Sequence, residues 1–376
     1  MRKVFAAFVA FLMIVSSLSF AFAKEEGMTV IDAKSSREIT VNSTFENNPV
    51  IPGQSDITGL PESEDKVYSP LMVNIDNFGG ALPQLGVGTA DILYDMPLAR
   101  GGYTRTVALF NTAYPAMAGP IRSARVMHAE LREEWDAAWV YFGKQTAEGS
   151  SVTAYLSKNG TNKKKLTFDG NTGASKYYFY AFARYSDPLD AGEKYESPHN
   201  AFASIALTGT EDGKKNTTIQ YSLPKDYQYP RRPFLFRDEP PTDGADATYV
   251  TIDTGHTGYS TSYTYDVDTQ AYVKYMNGKP YVDAYAPEVP LVFNNVIVQR
   301  ITLTYNKGVA ANPLVTEIGE GNADIFMGGK YIAGYWVRKS RDSRTIFFDA
   351  EGNELRLMRG TTAIIMRPVA DEVSYK

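Results

Sequence analysis

Gly101-Gly102-Tyr103-Thr104-Arg105-Thr106-Val107-Ala108-Leu109-Phe110-Asn111 sets two glycines before a strand. From Thr104 the residues are β-branched, aliphatic or aromatic, the composition that suits a pleated, half-buried surface. Arg105 is the charged residue in that run. Upstream, Leu71-Met72-Val73-Asn74-Ile75-Asp76-Asn77 reads as a short strand feeding a turn, and Ala90-Asp91-Ile92-Leu93-Tyr94 as another strand. Downstream stands Gly119-Pro120-Ile121-Arg122-Ser123-Ala124-Arg125. The Gly-Pro pair stops the preceding strand, and Ser123 is the expected N-cap of a helix running to Ala138. Trp139 to Phe142 turns back into a strand. Residues 67–235 thus alternate strands and helices and predict a mixed α/β domain.

From about Thr248 the texture changes to short β-rich runs. Asn277-Gly278, Gly328-Gly329 and Gly352-Asn353 fall between them as hairpin turns. Asp349, Glu351 and Asn353 around Gly352 read as a turn in preference to a calcium loop. Residues 236–376 predict an antiparallel β domain, a sandwich or partly closed barrel. The proline-rich stretch Pro230 to Pro241 is the expected bridge between the two domains. The fold class is α+β.

The chain has 376 residues, enough for two domains with their own cores. It is 43% hydrophobic and 22% charged, with a formal net charge of -5. An acidic balance argues against general nucleic-acid binding, which needs a broad basic surface. Residues 1–23 read as a secretory signal: Arg2-Lys3, an apolar run from Val4 to Val15, then Ala21-Phe22-Ala23 as an A-x-A cleavage site. The alternative is an uncleaved membrane anchor, the only membrane contact expected. Residues 24–66, polar and without sustained periodicity, read as a linker between envelope and folded body. The protein is therefore expected outside the cytoplasm, secreted or associated with the wall or membrane. There are no cysteines, which rules out disulfides, thiolate catalysis and lipid attachment through a cysteine of this sequence. An exported chain without disulfides relies on core burial.

Arg122 and Arg125 flank the predicted helix start, where free backbone N–H groups attract anions. Two arginines there oppose the helix dipole unless an anion offsets them. Planar guanidinium donors match phosphate or carboxylate. Arg105, Arg122, Ser123 and Arg125 are therefore the candidate anion-binding residues, with Asp76, Asp91 and His199 as polar companions. The alternative is that the arginines pair with Asp76, Asp91 or Asp95 as structural ion pairs. Those three aspartates would be the carboxylates of a divalent-cation site, but turn formation is the commoner role of Asp at strand ends, and no metal site or cofactor is predicted. His128, His199 and His256 lack ligand spacing for zinc, and no nucleophile elbow or Walker loop occurs. His199, in Ser197-Pro198-His199-Asn200, is either a residue leading into a helix over the apolar stretch Ala201 to Leu207 or a polar site group.

At these residues the chain resembles the YerB-like family, bacterial envelope proteins with a domain of unknown function and a distinct C-terminal domain. The matching stretches include Val73-Asn74-Ile75-Asp76-Asn77, Pro83-Gln84-Leu85-Gly86, Gly101 to Arg105, Gly119 to Arg125 and Ser197 to Asn200. Toward the C-terminus they include Asn295-Val296-Ile297-Val298, Gly334 to Lys339 and Arg359-Gly360-Thr361-Thr362. Together they span about residues 67 to 370. The family pattern places His-Pro and Arg after Asp-Asn, where this chain has Phe78-Gly79-Gly80-Ala81-Leu82. It places an acidic residue before Gly-Gly, where this chain has Arg100. Members are typically exported, often as lipoproteins. The resemblance supplies no reaction. The expected function is binding of an anionic envelope ligand, such as a phosphorylated glycan or a lipid-linked precursor. A metal-assisted transferase or hydrolase of phosphorylated envelope polymers and a structural scaffold are the alternatives.

Overall fold

The computed structural model describes residues 29–31, 38–40, 47–161, 166–172, 178–180, 195–206, 210–211, 214–215, 219–220, 223, 232–306 and 312–376. The expected signal, 1–23, lies outside them. Among the described residues the chain is mostly β, with two α-helices. The α+β expectation thus holds in outline, with less helix than the sequence suggested.

The centre is one large mixed sheet. Its principal strands are β1 (Leu71–Ile75), β2 (Ile92–Ala99), β3 (Tyr103–Phe110), β4 (Ala138–Tyr141), β5 (Asn295–Tyr305), β6 (Gly319–Met327), β7 (Lys330–Arg338) and β8 (Thr362–Pro368). Their spatial order is β7-β6-β5-β8-β2-β3-β1-β4. Strands of the two predicted domains therefore share a single sheet. The join is parallel: β8 pairs with β5 on one side and β2 on the other. This corrects the expectation of a purely antiparallel C-terminal domain. Parallel pairing is non-local, so no turn signal announces it.

β1 is buried along its whole length, because both faces of the sheet are covered. Leu71, Val73, Ile75, Ala108 and Val298 face a second sheet that includes Tyr249–Ile252, Thr261–Asp266 and Ala271–Met276. Met72, Val107, Leu109, Trp139 and Ile364 face the helices α1 (Val126–Trp135) and α2 (Val152–Lys158). The result is three layers, helices on sheet on sheet. With 10 residues, α1 is shorter than the roughly 12–15 an isolated helix needs. It is held by burial of Met127, Leu131 and Trp135, each contributing about 1.5–3 kcal/mol.

Two hairpin turns follow the local chemistry. Asn277 and Gly278 have φ of 53° and 71°, and Gly328 and Gly329 have 59° and 74°, the left-handed pair of a tight hairpin. At Gly352, Asp349 Oδ1 accepts from the amides of Glu351 and Asn353, so the calcium-like spacing is a turn.

Other expectations shift. The end of segment 24–66 is packed: Ile57 is buried, the carbonyl of Thr58 accepts from the Gly360 amide, and a Cβ at Gly59 would strike the Phe236 ring at 2.5 Å. Thr29–Ile31 and Glu38–Thr40 in the same segment pair antiparallel. The proline-rich bridge carries a strand, Leu235–Arg237, paired with Arg356–Met358. The apolar stretch after His199 contains a strand, Ala201–Ser204, paired with Met117–Ala118.

Candidate functional site

β1 ends at Ile75, and Asp76 follows with its amide bonded to the Pro120 carbonyl at 2.8 Å. The Arg122 amide donates to the Asn74 carbonyl at 3.0 Å, and the Ile121 amide to the Ala201 carbonyl at 2.6 Å. The 119–125 segment is thereby laid between the end of β1 and the segment that carries His199. Gly119 is required there, since a Cβ would stand 2.4 Å from the Phe202 ring. On the other side, β3 pairs with β1 through Ile75 and Thr106, which puts Arg105 at the level of Asp76. Gly101 and Gly102 have φ of 83° and 81° and turn the chain into β3; a Cβ on Gly102 would lie 2.1 Å from the Thr254 carbonyl oxygen.

Three cationic or imidazole groups meet the Asp76 carboxylate, which is 3% exposed. Arg122 Nε lies 3.1 Å from Oδ2, His199 Nδ1 2.5 Å from Oδ2, and Arg105 Nη1 3.9 Å from Oδ1. Burial pushes the Asp76 pKa up, but Arg105, Arg122 and His199 outweigh it and hold the carboxyl below its usual 3.8. Burial lowers Arg105 to about 10, opposed by Asp76 and reinforced by Arg122 and Arg125. Burial and Arg122 lower Arg125 to about 10. Arginines rarely move so far, and mutual repulsion within one buried cluster is part of the cause.

His128 was not among the sequence candidates. It is fully buried, and its Nδ1 receives the Arg125 amide at 3.2 Å and pairs with Asn74 Nδ2 at 2.7 Å. A backbone N–H can only donate, so Nδ1 is the acceptor and the ring proton sits on Nε2. Asn74 is oriented in turn by Trp139, whose Nε1 donates to Asn74 Oδ1 at 3.0 Å. Burial, then Arg105 and Arg125, hold His128 well below 6.5, so it is neutral at pH 7. The signal available in sequence was its place three residues after Arg125, the reach of a capping side chain.

The structure brings Arg105, Arg122 and His199 onto Asp76, with Arg125 within electrostatic reach. Ser123 is not the helix cap. The Ala124 amide bonds to the Gly143 carbonyl, keeping this stretch extended, so α1 begins at Val126 with Arg125 at the N-cap. The Ser123 carbonyl faces Arg125 Nη1 at 3.5 Å. Asp91 lies at the opposite end of the ladder. Its Oδ2 accepts from the amides of Asn111 and Thr112 at 2.6 and 2.8 Å, outside the arginine cluster. Asp95 pairs with Arg367 at 3.1 Å. The three aspartates considered for a divalent cation are thus not brought together.

Asp95 belongs to a second buried cluster, across the sheet. Arg105 and Thr106 are neighbours on β3 and leave opposite faces; Asp95 is opposite Thr106. Lys274 lies over the Tyr281 ring at 4.0 Å. Gln84 connects the two clusters, donating to the Asp76 carbonyl at 2.5 Å and accepting from the Tyr281 hydroxyl. Burial drives the Lys274 ammonium down to about 8, opposed by Asp95 and reinforced by Arg367. An unfolded lysine titrates near about 10.4. Between those values the unfolded chain holds a proton that the folded chain has released, so stability rises with pH. From this lysine we expect a gain of about 3 kcal/mol between roughly pH 8 and pH 10, at about 1.4 kcal/mol per unit. Urea titrations across that range test it: Lys274→Met should abolish the rise, and an unchanged rise would refute the assignment.

The two clusters lie on opposite faces of a sheet that both halves of the chain share. The N-terminal domain of a protein family of unknown function, DUF3048, matches residues 57–218, and its C-terminal domain matches residues 250–364. YerB of Bacillus subtilis (strain 168), named as a candidate lipoprotein, is 26% identical over 284 residues, 73% of this chain and 72% of YerB. The crystal structure of YerB from Bacillus subtilis superposes with a TM-score of 0.64 at 22% identity, covering 85% of this chain and 99% of that one. This chain belongs to the YerB-like family.

Proposed function

We propose that this protein is an extracytoplasmic binding module that holds an anionic group of an envelope ligand at Arg105, Arg122 and Arg125 beside Asp76. The supporting observation is Arg105. Its side chain is 3% exposed, yet Nε and Nη1 have no hydrogen-bond partner among the described residues, and its carboxylate neighbour is shared with Arg122 and His199. A buried guanidinium with unused donors is costly unless an acceptor arrives. A phosphate or carboxylate oxygen supplies that acceptor, and Arg122, 29% exposed, stands where a ligand from solvent first meets the cluster. The extracytoplasmic placement rests on the signal-like residues 1–23 and on the lipoprotein description of the relative.

Calorimetric titration with inorganic phosphate and with pyrophosphate tests the reading. A charged hydrogen bond contributes about 1.5–3 kcal/mol, so Arg122→Gln is expected to weaken binding at least about tenfold. Its melting temperature should stay within about 2 °C of the parent, since the side chain is partly solvated. Equal binding by parent and variant, or none by the parent, would overturn the proposal.

A further inference from the structure

The Asp76 cluster contains an arrangement that simple anion capture does not use. His199 Nδ1 is held by Asp76 Oδ2 at 2.5 Å. The imidazole is clamped by Phe78, whose ring stacks on it at 5.0 Å with an interplanar angle of 6°. The ring is thus fixed by one hydrogen bond and one stacking contact. With Nδ1 committed to the carboxylate, the other ring nitrogen, Nε2, is free to take a proton. Nε2 has no hydrogen-bond partner among the described residues, and the side chain as a whole is 17% exposed. The neighbouring backbone leaves room. A Cβ on Gly80 would lie 3.9 Å from Nε2, and one on Gly79 would meet nothing within 4 Å. Arg122 binds the same carboxylate oxygen as His199 and hydrogen-bonds the Pro198 carbonyl at 3.1 Å, so the imidazole and the guanidinium are locked side by side.

We propose that His199, oriented by Asp76, is the general base for hydrolysis of a phosphodiester held by Arg122 and Arg105. This rests on the anion-binding reading above. In the step, Nε2 removes a proton from a water molecule as the water oxygen forms a bond to phosphorus. The bond from phosphorus to the leaving alcohol oxygen breaks, its electron pair stays on that oxygen, which takes a proton from solvent, and Nε2 returns its proton to solvent. The products are a phosphomonoester and an alcohol, one water is consumed, and His199 returns to its starting state. The arginines offset charge gathering on the non-bridging oxygens. A diester is the better substrate class than a monoester. Monoester transfer passes through a loose transition state in which the attacking oxygen is little bonded, so a base contributes little. His199 would be the catalytic residue and Asp76 a positioning residue.

The full chain is incubated with bis(p-nitrophenyl) phosphate and, separately, p-nitrophenyl phosphate, and inorganic phosphate affinity is measured on the same samples. The expected result is turnover of the diester in preference to the monoester. His199→Gln should lower kcat about a hundredfold or more, with KM and phosphate affinity within about threefold. Added imidazole should restore part of the rate to His199→Gly, which a purely structural role would not allow. In Asp76→Asn the pH–rate profile of the remaining activity should move, because the ring has lost its carboxylate. Phosphate binding without diester turnover, or turnover indifferent to His199→Gln, overturns this proposal and leaves the binding reading standing. Absence of phosphate binding overturns both.

Discussion

Asp76→Ala is expected to lower the unfolding free energy by about 3–5 kcal/mol, the cost of leaving buried charges without their partner. The carboxylate is shared by Arg105, Arg122 and His199, and Arg105 is 3% exposed, so water cannot take over its role. The backbone is affected too, because Asp76 Oδ1 also accepts from the Phe78 amide at 3.3 Å. The folded carboxyl titrates below 3.8, so its contribution is complete above that value and is lost as pH falls through the folded one. The acid side of the stability curve should therefore flatten in Asp76→Ala. Added phosphate should restore part of the lost stability, since an anion bound to the native state substitutes for the missing charge; at a hundred times Kd the gain is about 2.7 kcal/mol. Urea unfolding with and without phosphate checks both parts. A loss under about 1 kcal/mol would mean that the arginines do not depend on Asp76.

Arg338→Met is expected to be of similar size, for a reason remote from the site. Arg338 is fully buried, and its Nη1 lies 3.5 Å from both Glu134 and Glu317. Its remaining donors reach the carbonyls of Glu130, Ser340, Arg341 and Ser343. Glu317 is pushed well above 4.5 by burial and the neighbouring glutamates, and Glu130 reaches about 7 with burial as the main cause. Removing the guanidinium leaves this crowd without its central cation and costs about 3–5 kcal/mol. Glu317→Gln should cost far less, because burial already drives that carboxyl toward its neutral form. Thermal unfolding of the two variants separates them; equal losses would show that Glu317 is ionised in the folded protein and depends on its pairing with Arg338. The contact matters for the site because the bond to the Glu130 carbonyl anchors α1, which carries His128 and is capped by Arg125, to β7.

What could be seen in the sequence was what is settled locally. Thr104 to Asn111 reads as a strand because its residues favour a pleated surface, and the strand runs Tyr103–Phe110; Asn277-Gly278 and Gly328-Gly329 read as hairpins because few other pairs accept two positive φ values. The helix start was misplaced because Ser123, a good cap in isolation, lies in a segment drawn out by the bond between Ala124 and Gly143. Asp76 and Asp91 carry the same local signal, an aspartate at a strand end. Only the antiparallel partner β3 shows that the two ends point in opposite directions along the sheet. His128 stayed hidden because its role depends on Asn74 and Trp139, which come from two strands distant in sequence. The joining of both halves through β5, β8 and β2 is likewise invisible to periodicity, since parallel neighbours need no turn between them.

The central claim is that the arginines around Asp76 form one anion site. Crystals of the full chain, grown without sulfate or phosphate and soaked in tungstate, test it by anomalous scattering. The account predicts a tungstate peak within hydrogen-bonding distance of Arg105 and Arg122, near the Nε2 edge of His199. A peak confined to other surfaces, or an unoccupied cluster at tungstate concentrations that fill surface sites, would contradict it.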